Sequence, residues 1–148
     1  MYKKYLSESK LATHIRLGVG IILHSDRKIL LEKRSDCLQW GLIGGSIEIG
    51  EEVEETAVRE CLEETSLIIK KRDLNFQGIY SDCKQNRIIQ YPDSCFHAID
   101  IIYTCKTDES KIIIKSEESL EISYFEFKSL PLCIVPPAKL PINDFIKK

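Results

Sequence analysis

The sequence predicts an α/β fold, a layered sandwich of helices on a mixed β-sheet, formed as a single domain over residues 1–148. A chain of 148 residues with 43% hydrophobic content is enough to fill one core. Runs of branched apolar residues lie on both sides of one amphipathic helical segment, and a second helical segment ends the chain. Strands around a middle helix with another helix at the end favour packed layers of this kind.

The first predicted elements form a hairpin. Residues 14–24, HIRLGVGIILH, are rich in branched apolar side chains and predict a strand. A polar turn at residues 25–28 leads into a second predicted strand over residues 28–34.

The middle helix is predicted at about residues 51–65. At about 100° per residue, one arc carries the side chains expected to face the core, namely Ala57, Val58, Cys61 and Leu62. Glu60, Glu63 and Glu64 share a narrow stripe that is expected to face outward. Like charges at this spacing repel by some tenths of a kcal/mol per pair, and a bound divalent cation would reverse that sign.

The rest of the chain alternates strands and loops. Residues 73–80 predict a strand, residues 81–94 a long polar loop, and residues 96–106 another strand. Residues 111–115 and 122–127 predict short strands. Residues 138–148 predict a helix after the pair Pro136 and Pro137.

Composition excludes several classes of protein. A net charge of −2 and a pI near 6.0 give no basic surface for duplex nucleic acid. The first residues contain no apolar leader, and no run reaches the ~18 apolar residues of a membrane span, so we expect a cytoplasmic protein with no membrane partner. The six cysteines form no C-x-x-C pair and only three histidines are present, so reduced thiols are expected rather than a zinc site or disulfides.

The charged residues of the helix stand in a fixed register with a glycine pair. Gly45 is followed after five residues by Glu51, and after seven more by Arg59-Glu60, with Glu63-Glu64 two residues later. This pattern resembles the Nudix box, G-x5-E-x7-R-E-U-x-E-E-x-G-U with U an aliphatic residue, at every charged position. Two departures are Cys61 at an aliphatic position and Ser66 in place of the glycine that ends the helix, where a left-handed residue is favoured.

The resemblance implies a hydrolase of diphosphate linkages that uses Mg²⁺, with Mn²⁺ as a substitute. By this resemblance the metal ligands are Glu60, Glu63 and Glu64 together with the Gly44 carbonyl. Glu60 is the candidate to orient or deprotonate the attacking water, although family members differ in which glutamate is the base. A further acidic ligand is expected from the segment that holds Glu117, Glu118 and Glu121, and Glu118 is our choice.

Arg59 has two interpretations at this point. It could support the site by pairing with Glu51 or Glu55, or it could form only a surface pair with Glu55 one turn away. Among candidate substrate-binding residues, Arg34 could reach a phosphate. Trp40 could stack on a base, although packing in the core is favoured, and Tyr80 could line a base pocket or belong to the sheet.

The implied substrate is a small molecule, a nucleoside diphosphate linked to another group. Residues 79–84 lack the proline that ADP-ribose hydrolases of the family typically carry, so a nucleoside triphosphate, a nucleotide sugar and a nucleotide alcohol all remain open. The alternative of another class is a Nudix-fold module that senses a nucleotide without cutting it, against which the intact carboxylates argue. The sequence leaves open whether the chain is a monomer or a homodimer.

Overall fold

In the computed structural model, which describes residues 3–148, a nine-stranded mixed sheet lies between two helices. The strands in chain order are β1 (Lys4–Leu6), β2 (His14–His24), β3 (Lys28–Arg34), β4 (Trp40–Gly41), β5 (Ile43–Ser46), β6 (Asn75–Tyr80), β7 (Ile88–Tyr91), β8 (Ser94–Lys106) and β9 (Ser119–Glu126). The helices are α1 (Val53–Thr65) and α2 (Pro136–Ile146).

The central strands of the sheet are β2 and β8, which pair in parallel. The main strand order is β1-β7-β8-β2-β3-β4, while β5 pairs with β2, β6 with β8, and β9 with β3. In the parallel pair, Gly18 lies opposite Asp100 and Gly20 opposite Ile102. These two pairs form part of a cavity wall on the face of the sheet that also holds α2.

Each face of the sheet carries one helix and one hydrophobic core. Ala57 and Cys61 of α1 pack against residues of β2, β5 and β8 on one face. Ala138 and Ile142 of α2 pack against residues of β2, β3 and β8 on the other. The predicted α/β/α sandwich on a mixed sheet is therefore confirmed.

Helix α1 ends at Thr65 as the sequence predicts, but it begins at Val53, two residues after the predicted start at residue 51. The carboxylate of Glu55 accepts a hydrogen bond from the amide of Glu52 at 2.7 Å, which satisfies one of the free donors of the first turn. At the other end, Ser66 has a φ of 66° and its N–H donates to the Leu62 carbonyl at 2.9 Å. The left-handed residue expected after the helix is therefore Ser66.

The face of α1 that is buried differs from the predicted one. Leu62, expected in the core, is 48% exposed, whereas Glu64, expected to face outward, is 9% exposed. The buried residues of the helix are Thr56, Ala57, Cys61, Glu64 and Thr65. At about 100° per residue this arc is centred close to Glu64, because strand β5 packs against that side of the helix. The prediction was therefore wrong for these two residues.

The longer predicted strands are confirmed. Those at residues 14–24 and 28–34 match β2 and β3, while β6, β8 and β9 differ from prediction by one to three residues at their ends. The last helix begins at Pro136 instead of residue 138. Proline is accepted at the first helical positions, where the backbone N–H it lacks would have no partner.

Short elements were predicted less well. Strands β1 and β7 were missed, and β7 lies inside the segment predicted as a polar loop. Residues 111–115 were predicted as a strand and do not form one; the Ile114 amide donates instead to the Thr65 carbonyl at the end of α1. Within residues 3–148 no helix is both long and apolar enough to cross a membrane.

Candidate active site

The glycine pair of β5 lies directly against helix α1. A Cβ on Gly45 would overlap the carboxylate of Glu60, and a Cβ on Gly44 would overlap the backbone carbonyl of Val19 in β2. Neither position has room for a side chain. The glycines therefore allow the backbone of β5 to approach both the helix and the neighbouring strand.

Five carboxylates line one cavity of about 350 Å³ beside this glycine pair, a space much larger than one water molecule. One is Asp36, which is paired with Arg34, and the other four are glutamates. The glutamates are Glu60 and Glu64 from α1, Glu32 from β3 and Glu118 from the segment before β9. Glu118 was the residue chosen from the sequence, and it lines this cavity. Glu32 was missed; the available signal was its position on the same face of β3 as the buried Leu30.

The two most buried of these carboxylates face each other. The Gly44 amide donates to Glu64 Oε2 at 2.8 Å, and the Ser119 hydroxyl donates to Glu32 Oε2 at 2.8 Å. Burial, followed by the charge of Glu32, raises the pKa of Glu64 far above its usual range, although the hydrogen bond from Gly44 opposes this. Glu64 therefore favours its protonated form in the absence of a cation.

Glu60 lies between the buried pair and solvent. Burial raises the pKa of its carboxyl; the guanidinium of Arg59 lowers it, and the charges of Glu63 and Glu118 raise it further. Glu63 does not line the acidic cavity. Its exposed carboxylate accepts a hydrogen bond from Arg59 Nη1 at 3.2 Å.

Arg59 connects the loop after β5 to the helix. Its Nε donates to Glu51 at 2.6 Å, its Nη2 donates to the Ser46 carbonyl at 3.2 Å, and its Nη1 donates to Glu60 at 2.9 Å. Of the two carboxylates considered from the sequence, Glu51 is the partner, whereas Glu55 accepts from the Glu52 amide. Arg59 therefore holds Glu60 in place as well as the loop.

The donor set of the acidic cavity suits a hard divalent cation. The glutamates supply only oxygen, and burial raises the pKa values of Glu60 and Glu64, so a bound cation would offset the cost of keeping them charged. Within residues 3–148 no three acidic, histidine or cysteine side chains already converge as a ligand set.

A second cavity meets the acidic one at Gly44, Gly45 and Arg34. It lies on the α2 side of the sheet, and its wall includes Gly18 and Asp100. The guanidinium of Arg34 donates to both carboxylate oxygens of Asp36, at 2.9 and 2.8 Å. Arg34 thus lies at the junction of the two cavities, in reach of a group that spans them.

The other two residues proposed for substrate binding lie elsewhere. Trp40 packs edge-on against Phe125 with ring centroids 4.8 Å apart, in the core on the α2 side. The hydroxyl of Tyr80 donates to Asp144 at 2.9 Å. Among the residues of the chain that the structure covers, neither lines the two cavities, so both act in packing here.

Comparisons with known proteins agree with this geometry. The family model described as NUDIX domain matches residues 14–145. The chain is 31% identical to the ADP-ribose pyrophosphatase of Methanocaldococcus jannaschii over 98% of its own length and 81% of that protein. It is also 31% identical, over 84% of its length and 75% of the other, to a protein of Bacillus subtilis provisionally named an 8-oxo-dGTP diphosphatase.

A solved structure supports the fold independently. The MutT NUDIX hydrolase of Burkholderia pseudomallei superposes with a TM-score of 0.73 at 21% identity. The alignment covers 88% of this chain and 97% of that one. The sheet and both helices are therefore arranged as in that protein.

Proposed function

Since the chain belongs to the NUDIX domain family, we propose that it is a divalent-metal-dependent hydrolase of a nucleoside diphosphate joined to another group. The observation that carries this proposal is the junction of two cavities at Gly44 and Gly45. One cavity is lined by carboxylates, whereas the other is lined mainly by glycines and apolar side chains. A diphosphate at the junction would have its charged centre beside the acidic cavity and its organic group in the second.

The carboxylates proposed to hold the metal are Glu60, Glu63, Glu64 and Glu118, with the backbone of Gly44. Mg²⁺ is the expected ion and Mn²⁺ the substitute, because both prefer oxygen ligands. When bound, the ion would neutralise charge on the diphosphate and lower the pKa of the attacking water. Glu63 belongs to this set because its exposed carboxylate is next to Glu60 on the helix, with Arg59 between them.

Glu60 is proposed to orient or deprotonate the water. Arg59 holds its carboxylate at 2.9 Å while leaving one oxygen without this contact, and Gly45 gives it space on the other side. The raised pKa of Glu60 makes its carboxylate a stronger base than an ordinary glutamate, which favours proton transfer from water. Arg34 is proposed to bind a phosphate oxygen at the junction.

The names of the relatives narrow the substrate classes to be tested. One is named for ADP-ribose and the other for an oxidised guanine nucleotide. We propose that the substrate is a purine nucleotide of one of these two kinds. This would place ADP-ribose among the candidates although residues 79–84 lack proline.

The alternative is a Nudix-fold module that binds a nucleotide without cutting it. Such a module has no need for carboxylates that repel one another in a cavity. In this chain four glutamates line the cavity beside the glycine pair, and Arg59 donates a hydrogen bond to one of them, Glu60. This arrangement favours the hydrolase.

A substrate panel tests the proposal. The purified chain would be incubated with ADP-ribose, 8-oxo-dGTP, dGTP and a nucleotide sugar, with Mg²⁺ or Mn²⁺ or with a chelator, and the products identified by mass. We expect at least one compound to be cleaved at its diphosphate linkage, and only when metal is present.

The matched variants Glu118→Gln and Glu121→Gln should differ in metal-dependent turnover, because Glu118 lines the cavity and the exposed Glu121 does not. Binding without cleavage of any compound would favour the sensor.

A further inference from the structure

The second cavity contains an acidic side chain whose two oxygens have different surroundings. Asp100 Oδ2 accepts a hydrogen bond from Arg87 Nη1 at 2.7 Å. Arg87 is fully buried, and its Nη2 donates to the Pro137 carbonyl at 2.8 Å. The guanidinium is held from two sides, so it fixes the carboxylate of Asp100 in one orientation.

The other oxygen of Asp100 belongs to a side chain that lines the cavity. Oδ1 lies over Gly18, where a Cβ would be only 2.6 Å away, so glycine at this position leaves room for the oxygen. The side chain of Asp100 is 30% exposed. Within residues 3–148, Oδ1 accepts no hydrogen bond from the protein.

The surroundings of this oxygen suit a flat, apolar ring. The next pair along the same wall is Gly20 and Ile102, and a Cβ on Gly20 would be 2.8 Å from Ile102 Cδ1. Leu42, Val135 and Ala138 add apolar surface on this part of the cavity. The spaces beside Gly18 and Gly20 are filled by the side chains of Asp100 and Ile102, so these two side chains form the surface that a ring would contact. Asp100 is the hydrogen-bond acceptor on this surface.

Resting on the function proposed above, we propose that Asp100 determines specificity by accepting a hydrogen bond at Oδ1 from the exocyclic amine of the substrate's purine base. A carboxylate is an acceptor only, so it favours a ring edge that carries N–H and disfavours one that carries a carbonyl oxygen. It also repels phosphate, which directs the charged part of the substrate towards Arg34 and the acidic cavity. The shared chemistry is an amine, supplied by adenine at position 6 or by guanine at position 2.

Paired substrates test this in the unaltered protein. ADP-ribose would be compared with the analogue in which purine lacking the 6-amine replaces adenine, and dGTP with dITP, which lacks the 2-amine. We expect kcat/KM to fall at least about tenfold on loss of the amine in one pair, because the bound base would shield Oδ1 from water and leave it without a donor. The pair that responds identifies the base. A difference of less than about twofold in both pairs would overturn the proposal.

The variant Asp100→Asn should remove this preference. Arg87 needs an acceptor, so the amide oxygen of Asn would face Arg87 and its NH₂ group would take the place of Oδ1. A donor would then face the ring, and the amine-containing substrate should lose its advantage. Asp93→Asn, the same change at an exposed turn residue between β7 and β8, is the matched control and should keep the parental ratio.

A metal-free binding measurement separates this proposal from the hydrolase proposal. Calorimetry with AMP, with GMP and with their analogues lacking the amine reports base recognition even if no compound is cleaved. Weaker binding of one amine-free analogue, abolished in Asp100→Asn, supports the role of Asp100 regardless of turnover. If Asp100→Asn is folded and keeps the parental preference in both assays, Asp100 is only the structural counter-ion of Arg87 and the proposal is wrong.

Discussion

Gly45 and Glu60 are in contact across the boundary between β5 and α1, so closely that a Cβ on the glycine would overlap the carboxylate. The glycine pair of the motif therefore determines where the carboxylate of Glu60 lies. Arg59 holds the same carboxylate at 2.9 Å from another side. The carboxylate of Glu60 thus lies between Arg59 of its own helix and the backbone of β5 at Gly45.

Gly45→Ala should reduce turnover much more than stability. The new methyl group must displace the Glu60 carboxylate, a flexible group near solvent, so we expect turnover to fall at least about tenfold with a melting temperature close to the parent's. Gly44→Ala should instead destabilise the fold, because its methyl group meets the backbone of Val19. Gly78→Ala, where the nearest contact is an ordinary 3.4 Å, serves as the control. Equal loss of stability in Gly44→Ala and Gly45→Ala would contradict this.

Glu60→Gln should leave the fold intact while removing activity. The substitution keeps the size of the side chain and removes one charge from a group whose pKa burial has raised, so metal-free stability should hold or rise slightly. Turnover should fall by roughly 10²-fold or more, as is typical when a positioned base is lost. Steady-state kinetics at saturating Mg²⁺ measure this, with Glu121→Gln as control. If the variant keeps more than about a tenth of parental turnover, Glu60 is not the residue that orients or deprotonates the water, and another glutamate has that role.

The metal-free protein should become less stable as the pH rises. Burial and Glu32 raise the pKa of Glu64 above its ordinary 4.5, so the folded state keeps a proton that the unfolded chain releases. The free energy of unfolding should therefore fall with pH from the unfolded pKa upward, until the folded pKa is passed. Urea melts in a chelator between about pH 5 and pH 9 would show this slope. Glu64→Gln should flatten it; an unchanged slope in that variant would assign the effect elsewhere.

Addition of Mg²⁺ or Mn²⁺ should raise the melting temperature at neutral pH. An ion that binds only the folded state stabilises it by mass action, and it also relieves the repulsion among the cavity carboxylates. Thermal melts and calorimetry with each metal test this, and Glu118→Gln should reduce the shift. The metal site would be rejected if neither method detects an effect at millimolar metal.

Ser66→Gly should stabilise the protein. Ser66 has a φ of 66°, a conformation that costs a side chain roughly 1 kcal/mol relative to glycine. The loss of its exposed hydrogen bond to the Ile114 carbonyl, 3.2 Å long, offsets part of this gain. Ser66→Ala removes the hydroxyl but keeps the backbone cost, so it should be no more stable than the parent. Denaturant melts that rank Ser66→Gly below Ser66→Ala would refute the explanation.

The sequence by itself determined the elements with strong local patterns and the identity of the motif. The spacing from Gly45 to Glu64 lies within one loop and one helix, so local geometry is enough to predict the helix and its carboxylates. The strands at residues 14–24 and 28–34 were equally clear, because long runs of branched apolar residues have few alternatives. The left-handed Ser66 followed from its place after the helix.

Only the tertiary structure decided which face of α1 is buried. The periodicity showed an apolar arc, but the packing of β5 covers a different one, which buries Glu64 and exposes Leu62. Short strands β1 and β7 also depend on pairing, since a few residues have little preference of their own. Residues 111–115 have the composition of a strand, and the backbone of Ile114 bonds to the end of α1 instead.

The same limit applies to the candidate site. Glu118 could be chosen from the sequence only through the resemblance. Glu32 carried only the signal of alternation along β3, and Asp100 carried none, because the partners of both residues are far away in the chain. Glu32 meets Glu64 and Ser119, while Asp100 meets Arg87 and Gly18, through strand pairing and helix packing. Local spacing determines which chemistry a helix can carry, whereas burial and long-range pairing determine which charges meet and which atoms stay open to a ligand.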